Sequence, residues 1–101
     1  MTHRLIFHPE VLEELSEHYW WYEQKSVGLG ERFLSVLELA YEIIQESPQV
    51  WTKTRKIFHK YQLKKFPFHI VYYAHDEYIS VYAVAHFSRK PFYWQNRASE
   101  T

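Results

Sequence analysis

FHIVYYAHDEYISVYAVA, residues 68–85, is the stretch that decides the fold. Its two halves, residues 68–74 and 78–85, are rich in aromatic and β-branched side chains, which favour half-buried strands. The three residues between them, His75-Asp76-Glu77, are polar and short enough for a hairpin turn. The stretch therefore predicts two neighbouring antiparallel strands joined by that turn.

The register of this hairpin decides which side chains share a face. In one register the set that faces the rest of the core is Phe68, Ile70 and Tyr72, opposite Ala85, Ala83 and Val81. His69 and His86 then share the opposite face of the sheet. Because side chains alternate along a strand, a slip of one residue would reverse this assignment.

Two segments before the hairpin have the apolar spacing of helices. Residues 9–25 begin with Pro9, which suits the first turn of a helix because its missing N–H has no partner there. The second helix carries one apolar stripe, formed by Phe33, Val36, Leu37, Ala40, Ile43 and Ile44. Residues 27–30 form the turn between the helices, and Ser47-Pro48 ends the second. Together they predict an antiparallel helical hairpin.

Two further strand candidates complete the sheet. Residues 4–8 predict a short N-terminal strand, and residues 55–65 predict a strand or a strand pair. Because helices and strands are segregated along the chain, we expect an α+β fold in which the helical hairpin packs on one face of a small, mainly antiparallel sheet. The length of 101 residues predicts one domain over residues 1–101.

Composition argues against several classes of protein. The chain has no cysteine, and its seven histidines include no HExxH motif and no i, i+4 pair, so we expect neither a metal nor a cofactor. No apolar run approaches the ~18 residues of a membrane span. The first ten residues lack the apolar core of a signal peptide. The sequence therefore predicts a cytoplasmic protein with no membrane partner.

Charge is unevenly distributed, although the formal net charge is zero. Residues 1–51 carry three basic residues and nine glutamates, whereas residues 52–101 carry nine basic and three acidic residues. The second half contains a basic run without an acid: Lys53, Arg55, Lys56, Lys60, Lys64 and Lys65. This run either follows a phosphate backbone, with Lys56, Lys60 and Lys64 binding the target, or protects an edge strand from aggregation. Neutrality argues against general affinity for nucleic acids.

Two tryptophans flank the apolar stripe of the first helix. At about 100° per residue, Trp20 and Trp21 point roughly 140° to one side and 120° to the other side of Leu15. The second helix can cover one of these flanks but not both. We therefore expect at least one tryptophan to lie in a protein interface, where aromatic side chains are enriched.

The chain resembles the RelE/ParE toxins over nearly its whole length. The resemblance lies in residues 22–24 (YEQ), 28–33 (GLGERF), 66–73 (FPFHIVYY) and 83–97. The most specific part is the ordered tail pattern of His86, Ser88, Arg89, Pro91, Trp94 and Arg97. It implies a toxin of a type II toxin–antitoxin pair, which a cognate antitoxin neutralises in a hetero-oligomer. Trp20 and Trp21 are then the candidates for antitoxin binding.

The resemblance implies more than one activity. It favours the ParE-like, plasmid-stabilisation branch, whose members inhibit DNA gyrase without being enzymes. One alternative is a RelE-like ribosome-dependent mRNA endonuclease. Another is a degenerate toxin that retains only antitoxin binding.

Four residues are candidates for catalysis if the chain cuts RNA: His69, His86, Arg89 and Tyr93. RelE-like nucleases often carry arginine at the position of His69, and this departure favours the gyrase inhibitor. Histidine nevertheless suits acid–base chemistry near neutral pH. Arg89 either binds a phosphate or carboxylate of the target or pairs with a glutamate of the helical hairpin.

Overall fold

The computed structural model describes residues 3–55 and 57–98. Its elements are, in chain order, β1 (Arg4–Phe7), α1 (Pro9–Lys25), α2 (Leu29–Glu46), β2 (Thr52–Thr54), β3 (Phe58–Gln62), β4 (Phe68–Ala74), β5 (Tyr78–His86) and α3 (Gln95–Ala98). The strands form one sheet in the order β1-β5-β4-β3-β2. β1 runs parallel to β5, and all other neighbours are antiparallel. The predicted α+β fold is confirmed.

The turn between α1 and α2 is held by a carboxylate. Glu23 accepts hydrogen bonds from the backbone N–H groups of Gly28 and Gly30, at 2.9 and 3.0 Å, and so caps the first turn of α2. A Cβ atom at Gly30 would lie 2.8 Å from the carbonyl oxygen of Tyr19, so the close crossing of the two helices requires glycine there.

Both helices cover the same face of the sheet, and the main core lies between them and the strands. Four residues of the predicted α2 stripe are buried in it: Phe33, Leu37, Ala40 and Ile44. A smaller cluster lies on the opposite face and contains Phe58, Val71, Tyr82, Ala83, Ala85 and Trp94. Since Trp94 belongs to the C-terminal segment, that segment covers part of the face that the helices leave open.

The predicted register of β4 with β5 is wrong over half of its length. Tyr72 lies opposite Val81 as predicted, but Phe68 lies opposite His86 and not Ala85. Pairing shifts between Val71 and Tyr72, because β5 contains one extra residue there.

The extra residue is Tyr82. Val81 and Ala83 pair with consecutive residues of β4, and Tyr82 and Ala83 both pack in the cluster away from the helices. The prediction that His69 and His86 share a face is therefore also wrong. His86 lies on the helical side and contacts Phe68, whereas His69 lies on the open side.

The basic run is only partly a strand. β3 occupies the middle of residues 55–65, and the short strand β2, which was not predicted, pairs outside it through Thr52 opposite Lys60. Lys56 lies outside the described residues. Among the helices in the described part of the chain, none has the length and apolar character needed to cross a membrane.

Candidate functional site

A cleft of about 240 Å³ opens on the sheet face that the helices leave uncovered. We call it the sheet cleft. The polar and aromatic side chains that line it include Lys60, His69, Arg89, Lys90, Tyr93 and Trp94. It continues into a depression of about 670 Å³ that shares Lys60 and His69 and adds Lys64. Within residues 3–55 and 57–98, no acidic side chain lines either space, so both favour anions.

Lys60 and His69 come from neighbouring strands. Lys60 lies opposite Val71, and His69 lies opposite Gln62, so both side chains face the open side of the sheet. Burial lowers the pKa of His69 below its usual value of 6.5, and the positive charge of Lys60 lowers this pKa further. The imidazole is therefore neutral near pH 7 and can accept a proton.

Arg89 and Tyr93 form one wall of the sheet cleft. The Arg89 guanidinium carbon lies 3.8 Å from the centroid of the Tyr93 ring, and its Nη1 lies 3.9 Å from Oε2 of Glu14. The side chain remains 49% exposed, so it can still bind a ligand. Pairing with a helix glutamate and exposure towards a target, which the sequence offered as alternatives for Arg89, therefore coexist in its geometry.

The Tyr93 hydroxyl contacts the same carboxylate of Glu14 as Arg89 does. It donates a hydrogen bond of 3.1 Å to Oε2 of Glu14. Burial, and then the charge of Glu14, raises the pKa of Tyr93 to about 12. The phenol therefore keeps its proton, and the arrangement suits it to hold Arg89 in place against its ring.

Glu14 of α1 and Arg97 of α3 fasten the C-terminal segment to the helical layer. Two hydrogen bonds join them, Nη1 to Oε1 at 3.1 Å and Nη2 to Oε2 at 2.6 Å. Arg97 also donates to the carbonyl oxygen of Tyr82 at 2.9 Å, just beyond Val81, where β1 stops pairing with β5. We call this set of contacts the tail latch.

The tail latch was not predicted, although the sequence carries a signal for it. Glu14 lies three residues after Val11 and one before Leu15, on the apolar stripe of α1. A carboxylate at such a position is buried, and a buried charge needs a partner. The partner is 83 residues away, so helical spacing alone could not name it.

The C-terminal segment reaches the sheet cleft through a strained turn. In this turn Phe92 has a φ of 62°, which lies in the left-handed region that residues other than glycine rarely adopt. Arg55, which packs against Phe92, has a φ of 51° in the same region. The Arg55 guanidinium lies 3.8 Å from the centre of the Phe92 ring. Such strain costs about 1–3 kcal/mol per residue and is concentrated at functional sites.

His86 contributes to a second, smaller space on the helical side. This rim pocket has a volume of about 200 Å³ and is lined by His18, Trp21, Tyr22, Phe68, His86 and Ser88. Trp20 and Trp21 are 57% and 56% exposed, so α2 covers neither of them. Within the described ranges, no group of three or more metal-binding side chains comes together.

Comparison with known proteins identifies a fold. Neither a protein-family model nor a curated protein sequence matches the chain. Among solved structures, an arginine-to-alanine double mutant of the E. coli toxin RelE, in the free state, is similar over 99% of this chain and 94% of that one, with a TM-score of 0.58. This chain has the RelE fold.

The resemblance to RelE/ParE toxins is thus confirmed at the level of fold, and the sequence identity of 18% carries it no further. On this RelE fold, β3, β4, the end of β5 and the C-terminal segment enclose the sheet cleft, and α1 lines the rim pocket, which shares His86 with the cleft. The roles of the individual residues follow from chemistry and are proposals.

Proposed function

We propose that the chain is the toxin of a type II toxin–antitoxin pair and that it cuts mRNA in the sheet cleft, in the manner of a RelE-like endonuclease acting in the cytoplasm. One observation carries the proposal. A histidine that burial keeps neutral, His69, lies beside Lys60 in a cleft without acidic side chains among the described residues, and Arg89 forms its wall. The sequence favoured gyrase inhibition, and this geometry shifts the preference towards RNA.

The arrangement suits cleavage through the ribose 2′-hydroxyl. Neutral His69 accepts the 2′ proton, and the 2′ oxygen forms a bond to phosphorus while the bond to the 5′ oxygen breaks. Lys60 and Arg89 stabilise the extra negative charge on the phosphorane oxygens. Water supplies the proton that the leaving 5′ oxygen takes up, so the products are a 2′,3′-cyclic phosphate and a 5′-hydroxyl end.

The cognate antitoxin is proposed to bind the helical layer. Leu12 and Trp20 are both 57% exposed and lie two turns apart on the same flank of α1. Exposed apolar side chains in such a row are typical of a protein interface. Binding there would form the toxin–antitoxin hetero-oligomer and leave the sheet cleft on the opposite face of the molecule.

Gyrase inhibition is the second candidate. His69 and His86 both line the sheet cleft, but their strand positions lie on opposite faces of the sheet, which argues against an acid–base pair of these two residues. The Tyr93 hydroxyl is occupied by Glu14, which removes another acid from consideration. If neither group acts as a general acid, the sheet cleft could still bind an acidic surface of gyrase through Lys60, Lys64 and Arg89 without catalysing a reaction.

Induction of the chain without antitoxin separates these activities. We expect translation to stop before DNA synthesis, and mapping of RNA ends should reveal new 5′-hydroxyl ends within mRNA. His69→Gln keeps a hydrogen-bonding side chain but cannot take up a proton, so it should lose cleavage by about 10²–10⁴-fold.

Three results would contradict the proposal. Early loss of DNA synthesis with intact mRNA would select the gyrase inhibitor. Growth without any loss of synthesis would select a degenerate toxin that retains only antitoxin binding. Full cleavage by His69→Gln would remove the histidine from the mechanism. Ser80→Ala, a control on β5 away from the cleft, should cleave RNA as the unchanged chain does.

A further inference from the structure

We propose that the rim pocket binds one nucleobase of the RNA strand that occupies the sheet cleft, an inference that rests on the proposed function. The pocket is a separate space on the helical side of β5 and contains none of the groups to which cleavage was assigned. It would hold a nucleotide next to the reacting one and so contribute to affinity and sequence preference.

The pocket has the shape and surface of a base-binding site. Its volume of about 200 Å³ is too small for a helix or strand of a protein partner but admits a single planar ring system. The aromatic side chains of His18, Trp21, Tyr22 and Phe68 line it. Trp21 is the exposed member of this set, and its indole ring offers the kind of stacking surface that single-stranded nucleic acids use.

The pocket also contains a hydrogen-bond donor for a base edge. Nδ1 of His86 accepts the backbone N–H of Ser88 at 3.0 Å. Because a backbone N–H can only donate, the neutral ring must carry its proton on Nε2. That N–H suits the carbonyl oxygens and ring nitrogens of bases. The hydroxyl of Ser88, which also lines the pocket, lies 2.7 Å from the same Nδ1 and donates its proton to it, so its oxygen remains available as an acceptor.

The rim pocket and the sheet cleft adjoin at His86, which lines both. After His86 in the chain, Ser88 lines the rim pocket and Arg89 lines the sheet cleft. Two consecutive residues therefore belong to the two spaces. Nζ of Lys25 lies 4.7 Å from the centroid of the Trp21 ring, so a cation that can pair with a phosphate of the same strand lies next to this ring. An RNA strand that crosses the end of β5 therefore meets a cation, an aromatic platform and a donor in succession.

The chain supplies its own matched control. Trp20 and Trp21 are adjacent on α1 and equally exposed, but only Trp21 lines the rim pocket. Replacement of either one by alanine removes the same side chain from the same helix. A difference between the two variants therefore reports on the pocket and not on loss of exposed aromatic surface.

The test uses a short fluorescein-labelled single-stranded RNA and the His69→Gln chain, so that binding is measured without cleavage. Trp21→Ala should weaken binding by about 5- to 150-fold, the range for loss of one base–aromatic stack. Trp20→Ala should change it by no more than about twofold, and Trp21→Phe should retain most of the affinity. Thermal unfolding of each variant checks that it is folded.

A series of RNAs with one abasic nucleotide at successive positions locates the base. We expect one abasic position to weaken binding by a similar factor in the chain that retains Trp21. The same RNA should cause little further loss in Trp21→Ala, because the missing base and the missing ring are partners in one contact.

Several results would overturn the assignment. These are equal losses for Trp20→Ala and Trp21→Ala, no dependence on any abasic position, absence of RNA binding, or loss of antitoxin affinity in Trp21→Ala with unchanged RNA binding. The last result would indicate that the pocket binds the antitoxin and not RNA. The proposed function fails separately, if the unchanged chain does not cut mRNA during translation. A chain that cuts mRNA but gives a flat abasic series would refute only the rim pocket.

Discussion

Replacement of Glu14 by glutamine is predicted to destabilise the chain strongly, although the change is conservative in shape. Glu14 and Arg97 have side chains that are only 12% and 9% exposed, and Arg97 makes two hydrogen bonds to this carboxylate. The substitution leaves the guanidinium buried without its main counter-charge. Loss of one partner of a buried pair costs about 3–5 kcal/mol. The carboxylate of Glu10, 3.6 Å from Nε of Arg97, partly compensates, so the lower figure is the better expectation.

A loss of about 3 kcal/mol is a large share of the roughly 5–15 kcal/mol that stabilises a folded domain. For a chain of this size, each kcal/mol lowers the melting temperature by about 4–8 °C, so Glu14→Gln should lower it by about 12–24 °C. Urea unfolding followed by tryptophan fluorescence measures the free energy directly. Glu10→Gln serves as a control, because Glu10 is 55% exposed and its pairing should contribute less than about 1 kcal/mol.

A double-mutant cycle tests the physical reason for this loss. Arg97→Met removes the charge but keeps a side chain of similar length, so the combination with Glu14→Gln leaves no unpaired buried charge. The combined variant should therefore lose clearly less stability than the sum of the two single losses. Single losses below about 1 kcal/mol that add without coupling would show that the tail latch is exposed in solution and would refute the reasoning.

Further predictions concern capping, pH, the antitoxin and the target. Glu23→Ala removes the carboxylate cap of α2 and should cost about 1–2 kcal/mol, measured by urea unfolding. Burial lowers the pKa values of His18 and His59 below 6.5, so at acidic pH the folded chain binds fewer protons than the unfolded chain. The free energy of unfolding should therefore have its full value above about pH 6.5 and decrease as the pH falls towards about 5. A profile that is flat over this range would contradict the prediction. Trp20→Ala should weaken antitoxin binding by ≥2 kcal/mol if it is a central interface residue, with calorimetry as the readout and unchanged affinity as the refuting result. Arg89→Lys should remove most toxicity while thermal stability changes little, because lysine lacks the planar fork; a parallel fall in melting temperature would make Arg89 structural.

Local sequence signals predicted the helical layer closely. α1 occupies residues 9–25 as predicted, because Pro9 sets its start and Gly28 interrupts the chain soon after its end. α2 ends at Glu46, just before Ser47-Pro48. These signals act over a few residues, where backbone preference and apolar spacing are decisive.

The parts of the sheet that the sequence missed depend on long-range packing. The bulge at Tyr82 reverses the face on which His86 lies, and nothing in the alternating pattern of β5 marks it. β2 consists of three residues, Thr52–Thr54, with no apolar run, and exists because β3 offers it an edge. A one-residue irregularity was enough to place His69 and His86 on opposite faces of the sheet, so the alternating pattern could not give the arrangement of the candidate residues.

Net charge alone says little about function, because it sums over faces that a ligand meets separately. All nine glutamates of residues 1–51 belong to α1 and α2, whereas Lys60, Lys64 and Arg89 line spaces that no acidic side chain of the described residues lines. A polyanion that enters these spaces meets local positive charge although the net charge of the chain is zero. Zero net charge limits non-specific affinity at long range, but within a Debye length of about 8 Å the local charges decide binding. Neutrality therefore sets a limit on general nucleic-acid affinity and is fully compatible with one RNA strand bound in the sheet cleft.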